Sequence, residues 1–474
     1  MGVARSRGKC IAALATAFLF LFAGSIRPVS AEEPHTAEEL TGSLTLNWNG
    51  AAALSGKLVD GSIYTKLNCE KGDILTLKSE RPIATLYLIF DRPPGGYSVV
   101  TAQGYQACGG YGFLHELVRL RAPAGEVEIR LPEGRLCEIR AFAQGELPGE
   151  IQDWDPPYAD CDMLLIPTHA DDEHLFFGGI LPTYGGQQGR KLQVAYLTNH
   201  WGEPYRPHEL LDGLWEAGIT AYPVISEFND YYSESLEHAK TLYDTEAVIA
   251  YETMLLRRFR PEVVIGHDID GEYGHGVHRL NAWALMQAVE HSGEADFCPE
   301  SAGEYGTFDV PKTYLHLYPE NPLIMDVDTP LPKLGGRTAF EVAQDAYLKH
   351  KSQQQWWFSV EKSGKYDLRK FGLYRSTVGP DTMGLDSGSG DFFEHITFWS
   401  DASVSSEENP SEPEETSDEG AAWAGVSSTP SAQADETNGE MGGISVILLA
   451  VVAGLAVVVL ILAWILWRKT KHER

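Results

Sequence analysis

The stretch that decides the fold is DMLLIPTHADDEH, residues 162–174. Its first half is a continuous apolar run, which is typical of a strand buried on both faces of a parallel sheet. Its second half places two histidines and three acids within six residues. A plain solvent loop could carry this charge, since acids are favoured at a helix N-terminus in any case. A bound metal ion could also require it, so the rest of the sequence has to decide.

Downstream of this stretch, apolar runs alternate with helical patterns. Strand-like runs occupy residues 191–198, 221–226, 262–266 and 313–318, and helical periodicity covers residues 208–218, 237–259 and 275–290. Strands that alternate with helices predict a three-layer α/β domain with a parallel sheet. Ligands of such sheets bind beyond the carboxyl ends of the strands. The acids of the first stretch and the segment GHDIDGEYGHGVH, residues 266–278, both follow a strand and are predicted at that edge.

The composition divides the chain into regions. Residues 32–150 contain short alternating runs such as ATLYLIF and GEVEIRL, separated by Gly, Pro and Asp, and this pattern predicts an all-β sandwich accessory domain. Residues 155–400 form the predicted α/β domain. Residues 401–440 hold 11 acids and no Lys or Arg. Because this composition cannot bury a core, we expect an acidic, flexible linker.

Both ends of the chain carry patterns typical of targeting segments. Residues 1–31 combine basic residues, a short apolar run and small residues before Glu32, as in a secretory signal peptide. Residues 444–467 are 24 residues without a charge, about 36 Å long as a helix, which predicts one C-terminal transmembrane helix. The basic tail, residues 468–474, is expected to stay cytoplasmic. These patterns predict a single-pass protein of the cell membrane whose catalytic body is extracytoplasmic and whose partners include the lipid bilayer.

The two polar segments contain a set of side chains suited to zinc. His169 and Asp172 are three residues apart, so at the start of a helix they can converge on one point. His275 and His278 have the same spacing, so one can bind the ion while the other faces an open coordination position. Two histidines, one aspartate and one water are a donor set that suits a catalytic zinc site.

Such a site would support metal-assisted hydrolysis. Zinc lowers the pKa of a bound water towards about 7. Asp171 would then be placed to accept the proton of that water, and a neighbouring imidazolium, His275, could stabilise the oxyanion and protonate the leaving amine. The constellation therefore predicts hydrolysis of an amide or an ester.

At these residues the chain resembles the PIG-L/LmbE-like family of zinc-dependent N-acetylglucosaminyl deacetylases. The first motif of that family, (P/A)HPDDE, matches THADDE at 168–173, and its glycine-His-x-x-His motif matches GHGVH at 274–278. The resemblance implies that His169, Asp172 and His278 bind Zn²⁺ and that Asp171 is the general base. It also implies a Rossmann-like fold for residues 155–400.

The same resemblance assigns the remaining site residues. It implies that His275 faces the oxyanion, that Tyr273 helps to polarise the acetyl carbonyl and that Arg206 lies near the substrate. This chain departs from the family pattern at two positions: Ala170 replaces a proline, and Val277 replaces an aspartate that is credited with tuning the neighbouring histidine. The second departure implies that His275 is a poorer acid.

The sequence as a whole therefore predicts a membrane-anchored zinc hydrolase that removes the acetyl group of an N-acetylglucosamine-type sugar or cell-envelope glycan. Two alternatives stay open: a surface glycan-binding protein with a non-catalytic metal site, and a zinc hydrolase of another acyl amide or ester. The formal net charge of −30 repels nucleic acid, so no nucleic-acid partner is expected.

Overall fold

The computed structural model describes residues 35–51, 55–382 and 390–398. The predicted signal peptide (1–31), linker (401–440), transmembrane segment (444–467) and basic tail (468–474) lie outside these residues.

The N-terminal part of the described chain is built from antiparallel strands. They are β1 (Thr45–Trp48), β2 (Leu67–Cys69), β3 (Ile74–Phe90), β4 (Tyr97–Thr101), β5 (Gly104–Cys108), β6 (His115–Arg130) and β7 (Gly134–Phe142). Hydrogen bonds join them in the order β2-β7-β3-β6-β4-β5, with β1 also on β3. The predicted run ATLYLIF, residues 84–90, is the second half of β3, and the register of β3 is irregular between Lys78 and Thr85. This region is therefore all-β, whereas its packing as a two-sheet sandwich stays a prediction.

The second part of the chain contains a seven-stranded sheet. Its strands are β8 (Met163–Leu165), β9 (Leu192–Tyr196), β10 (Val224–Ile225), β11 (Val263–Gly266), β12 (Lys312–His316), β13 (Pro322–Ile324) and β14 (Lys370–Ser376). The order is β10-β9-β8-β11-β12-β14-β13. The pairs from β10 to β12 are parallel, as predicted. The sheet is mixed rather than wholly parallel, because β14 runs antiparallel to β12 and β13 at one edge, an addition that is common in such folds.

Helices connect these strands. They are α1 (Asp172–Leu175), α2 (Arg206–Glu216), α3 (Leu236–Leu242), α4 (Thr245–Phe259), α5 (Gly276–His291), α6 (Pro299–Tyr305) and α7 (Ala339–Tyr347), with a π-helical stretch at Leu181–Gln187. The helix predicted at 237–259 is interrupted between α3 and α4. The side chain of Asp244 accepts hydrogen bonds from the N–H groups of Glu246 and Ala247, so it caps a new helix at this point.

The three-layer prediction is confirmed by the way successive strand residues divide between two cores. Met163 and Leu165 of β8 belong to the core that includes α2 and α7, while Leu164 between them belongs to the core that includes α4 and α5. Side chains alternate across a strand, so both faces of this sheet are buried by helices. The observed α/β fold therefore holds the carboxyl ends of β8 and β11 side by side.

The predicted single-pass location in the cell membrane requires correction. Among the residues that the structure describes, none of the helices combines the length and the apolar character needed to cross a bilayer. The longest of these helices, Gly276–His291, has 16 residues, about 24 Å, against a hydrocarbon core of about 30 Å.

Candidate metal centre and catalytic cavity

The two polar segments meet at the carboxyl edge of the sheet because β8 and β11 are paired neighbours. Met163 of β8 lies opposite Val263 of β11. Beyond the strand ends, the N–H of Thr168 donates a hydrogen bond to Nε2 of His267 at 2.9 Å. The segments that follow β8 and β11 are therefore held together directly.

Three of the predicted site residues converge on one point. Nδ1 of His169 lies 3.0 Å from Nε2 of His278 and 3.2 Å from Oδ2 of Asp172, and the last two atoms are 3.3 Å apart. We refer to these three side chains as the metal centre. All three are buried. Although burial opposes ionisation of Asp172, His278 and His169 hold its pKa well below its ordinary value.

The metal centre fits the donor set and the dimensions of zinc. Ligand bonds of about 2.0–2.1 Å in a tetrahedral arrangement place neighbouring ligand atoms about 3.3 Å apart. The three atom pairs measured here span 3.0 to 3.3 Å. Zinc itself stays a prediction; the candidate ligand groups at this edge of the described structure are His169 with His275 and His278, and Asp172 with His267 and His278.

Each histidine of the metal centre is held by a carboxylate on the opposite side of its ring. Nδ1 of His278 lies 2.7 Å from Oε2 of Glu272, and Nε2 of His169 lies 3.2 Å from Oδ1 of Asp230. Carboxylates in this position fix the orientation and tautomer of metal-binding histidines. Neither Asp230 nor Glu272 was predicted as a site residue.

Glu272 has further partners besides His278. Its Oε1 atom accepts the backbone N–H of Asp268 and lies 3.0 Å from Nδ1 of His267 and 3.1 Å from Nδ1 of His316. The side chain is fully buried, and its neighbours His267 and His278 keep its pKa well below its ordinary value despite burial. Glu272 therefore locks the loop before α5 onto the ends of β11 and β12.

The predicted general base, Asp171, occupies an unusual backbone conformation. Its φ is +137°, a region that non-glycine residues rarely adopt, and its N–H donates to Oε2 of Glu173 at 2.8 Å. Arg206, the predicted substrate residue, lies 3.3 Å from Oδ1 of Asp171 and donates to the carbonyl of Ala170 at 2.6 Å. Burial raises the pKa of Asp171 to about 6, against the opposing effect of Arg206.

Glu173, His174 and His350 form a second group of polar side chains, and this group is fully buried. The Oε1 atom of Glu173 lies 3.3 Å from Nε2 of His174 and 3.1 Å from Nε2 of His350. These side chains are shielded from solvent. Nearby, Ser352 donates its backbone N–H and its hydroxyl to the carboxylate of Glu209. Because the Glu173 carboxylate also accepts a hydrogen bond from the N–H of Asp171, this group stabilises the strained backbone at Asp171.

His275 lies beside the metal centre as a neutral group. Its ring centroid is 4.9 Å from those of His169 and His278. Burial and these two histidines lower the pKa of His275 to about 2. Its Nδ1 has no hydrogen-bond partner within the described part of the chain. Val277, at the position where the family carries aspartate, is buried in an apolar cluster and supplies no carboxylate.

A cavity of about 470 Å³ opens onto the metal centre. The predicted residues His169, Asp171, Asp172, Arg206, Tyr273 and His275 line it, and so do Tyr232, Trp356, Trp357 and Phe358. We refer to it as the catalytic cavity. Both tryptophans are largely exposed, and the ring of Tyr273 packs on Phe358 at 4.9 Å. Aromatic walls with a few polar groups at the base are typical of sites for small ligands. We refer to Tyr232, Trp356 and Trp357 as the aromatic rim. In the sequence, the run QWWF at 355–358 is the pattern that could have predicted it.

Sequence comparison relates the chain to sugar deacetylases. It is 23% identical over 210 residues to the 1D-myo-inositol 2-acetamido-2-deoxy-alpha-D-glucopyranoside deacetylase 1 of Catenulispora acidiphila, covering 39% of this chain and 64% of that enzyme. It is 25% identical over 183 residues to the corresponding deacetylase of Streptomyces scabiei, covering 33% of this chain and 56% of that enzyme. The chain thus spans less than two thirds of the length of these relatives. No family model matches it.

Among solved structures, the N,N'-diacetylchitobiose deacetylase from Pyrococcus horikoshii matches 42% of this chain and 72% of its own, at 20% identity and a TM-score of 0.32. The resemblance to the PIG-L/LmbE-like family that the two motifs predict is confirmed by the relatives found.

Proposed function

We propose that this protein is a zinc-dependent deacetylase that hydrolyses the N-acetyl group of an N-acetylglucosamine-type sugar or glycoconjugate. The observation that carries the proposal is the mutual approach, at 3.0 to 3.3 Å, of one ligand atom each from His169, Asp172 and His278 beside a cavity that also contains Asp171. The named substrates of the relatives, which contain a 2-acetamido-2-deoxy sugar, support the choice of the acetyl group.

The metal centre would hold the zinc ion, which when bound supplies Lewis acidity for water and for the acetyl carbonyl. Asp171 is the general base, because its buried carboxylate has a pKa raised to about 6, close to the pH at which proton transfer is most effective. Arg206 keeps that carboxylate in place through its contact at 3.3 Å. Asp230 and Glu272 hold the two histidines in the tautomers that point towards the centre.

The other polar groups of the catalytic cavity act on the acetyl group. Tyr273 can donate a hydrogen bond to the carbonyl oxygen, since burial raises the pKa of its hydroxyl above the ordinary value and keeps the group protonated. His275 is neutral and offers a hydrogen bond to developing negative charge, and the proton that Asp171 accepts from water passes to the leaving amine. The aromatic rim formed by Tyr232, Trp356 and Trp357 supplies faces on which a sugar ring can pack.

We also propose the division of labour along the chain. Residues 155–400 act as the catalytic domain, and residues 32–150 form an accessory domain whose strands pack as a sandwich. The described residues of both regions belong to one compact unit. The boundaries follow the change from antiparallel strands to the α/β sheet near residue 150.

Zinc content and acetate release measured on the same preparation test the function. We expect about one zinc per chain and acetate release from N-acetylglucosamine oligomers, and we expect Asp171→Ala to keep the zinc while losing about 10²- to 10⁴-fold in rate. Binding of these oligomers without any acetate release would favour the glycan-binding alternative. Release of a different acyl group, with no acetate from any N-acetylated sugar, would favour the second alternative.

A further inference from the structure

A second cavity, of about 750 Å³, lies between the all-β region and helix α2. We refer to it as the junction cleft. Its lining includes Ser62, Tyr64 and Tyr87 from one side and His208, Asp212 and Trp215 from the other. None of the residues that line it lines the catalytic cavity. Small-molecule sites occur preferentially where two structural regions meet.

The face of α2 that lines the junction cleft is polar. His208, Asp212 and Trp215 follow one another at intervals of four and three residues, so they share one side of the helix, and Glu209 and Glu216 flank them. Part of this polarity joins α2 to neighbouring segments, since Asp212 accepts a hydrogen bond from Nε2 of Gln152 at 2.6 Å and Glu216 pairs with Lys349 at 2.9 Å. Within the described part of the chain, the group that these contacts leave unsatisfied is Nε2 of His208.

A chain of buried polar groups ends at the junction cleft. The hydroxyl of Tyr87 lies 2.9 Å from Nδ1 of His115, whose Nε2 lies 2.8 Å from Nδ1 of His208. His208 is only 3% exposed, yet its Nε2 has no partner among the residues that the structure describes. Buried polar atoms are almost always hydrogen-bonded. A ligand hydroxyl in the cleft would complete this chain.

The chemistry of the cleft favours a neutral ligand. Burial lowers the pKa of His208 to about 4 and that of His115 well below its ordinary value, so both imidazoles are uncharged near neutral pH. Of the cations that line the cleft, Arg140 is paired with Glu150 at 3.1 Å and Lys349 with Glu216 at 2.9 Å, while Lys351 is exposed and has no ion pair among the described residues. A hydroxyl can both donate to and accept from a neutral imidazole, which is the group that His208 offers.

Aromatic rings complete the site. Tyr64 of the β region is 68% exposed, and its ring centroid lies 6.2 Å from that of Tyr205 at the start of α2. The indole N–H of Trp215 is bonded to the carbonyl of Gly149, which fixes this ring at the cleft. Such rings combine an apolar face with a polar edge, and beside hydroxyl-binding groups they suit a sugar ring.

We propose that the junction cleft binds a neutral saccharide, at a site distinct from that of the sugar that reacts. The position of the cleft connects it with catalysis, because Tyr205 and Ser352 line the cleft while their neighbours Arg206 and Gln353 line the catalytic cavity. A saccharide in the cleft therefore contacts the same two chain segments that carry one wall of the catalytic cavity.

Calorimetric titration of the full-length Asp171→Ala variant with short chitin, cellulose, xylan and mannan oligosaccharides tests this proposal. We expect at least one of them to bind, and a further Tyr64→Ala change to weaken that binding about 2- to 10-fold, as expected for loss of one aromatic contact. Tyr105→Ala, a change at another exposed tyrosine of the β region, is the matched control and should have no effect. Inorganic phosphate should not compete.

Three results would overturn the proposal: no binding of any oligosaccharide, binding that is lost in Trp357→Ala but unaffected by Tyr64→Ala, or competition by phosphate. The second result would place all binding in the catalytic cavity. The readout is binding and not turnover, so failure of the deacetylase function and failure of the junction site give different outcomes.

Discussion

The Oε2 atom of Glu272 lies 2.7 Å from Nδ1 of His278, on the side of the imidazole opposite the metal centre. The contact is fully buried and forces Nε2 of His278 towards His169 and Asp172. An imidazole held in this way loses less freedom when a metal binds. The geometry of the metal centre therefore depends on Glu272, which is not one of its three side chains.

Removal of this carboxylate should weaken metal binding. We expect Glu272→Ala to lower zinc affinity by about 10- to 100-fold, measured by competition with a chelator. Asp270→Ala changes an exposed acid on the same loop and should leave the affinity unchanged. Equal zinc affinities for the two variants would show that Glu272 does not position His278.

Loss of the support behind Asp171 should slow the reaction without releasing the metal. The Glu173 carboxylate accepts a hydrogen bond from the backbone N–H of Asp171, whose φ is +137°. We therefore expect Glu173→Ala to reduce kcat by about 10²-fold, as a displacement of about 1 Å would do, with unchanged zinc content. Glu173→Gln retains an acceptor oxygen and should recover most of the activity. A Gln variant as slow as the Ala variant would argue against the hydrogen bond as the cause.

The aromatic rim should contribute to substrate binding more than to chemistry. We expect Trp357→Ala to raise KM by roughly fivefold with little change in kcat, because a ring–sugar contact of about 1 kcal/mol is made equally before and during reaction. Trp357 is 62% exposed, and Tyr111 of the β region is 61% exposed, so Tyr111→Ala is a control for the loss of a surface ring. A fall in kcat alone would instead place Trp357 in the chemical step.

A buried acid on α4 should make stability depend on pH. Glu252 is fully buried, and neither carboxylate oxygen has a partner among the described residues. Burial raises its pKa well above the ordinary value of 4.5. The folded state therefore binds this proton more tightly than the unfolded state, and stability falls as the pH rises above the unfolded pKa.

Glu252→Met should remove this dependence. We expect the free energy of unfolding at pH 8 to increase by about 1–3 kcal/mol, and to change less at pH 5, as measured by urea denaturation. Glu304→Met, at an exposed position of α6, should show no such difference between the two pH values. A gain at pH 5 that equals or exceeds the gain at pH 8 would refute the explanation.

Much of the α/β fold could be predicted because its determinants are local. Apolar runs of strand length followed by helical periodicity located β8 to β12 and α5, and the spacing of His169 and Asp172 anticipated their convergence. Other features depend on contacts that no local pattern records. The antiparallel strand β14 is placed between β12 and β13 by pairings with both, and Asp244 divides a periodic stretch by capping a new helix.

The carboxylates behind the metal centre were missed for the same reason. Asp230 lies in a loop after β10 with no motif around it, and only the fold brings it within 3.2 Å of His169. Glu272 is part of a segment whose histidines have a metal-ligand spacing. Its own role depends on contacts with His267 and His316 at the ends of neighbouring strands, and the sequence does not show these contacts. Residues that orient metal-binding side chains have no fixed sequence spacing from them, so no motif identifies these residues in the sequence.

The location of zinc can be measured directly by anomalous scattering from crystals grown with the metal. We predict one strong peak about 2.0–2.2 Å from Nδ1 of His169, Nε2 of His278 and a carboxylate oxygen of Asp172. A peak at the buried group of Glu173, His174 and His350 instead, or a fully zinc-loaded protein with no density between His169 and His278, would contradict the assignment of the metal centre.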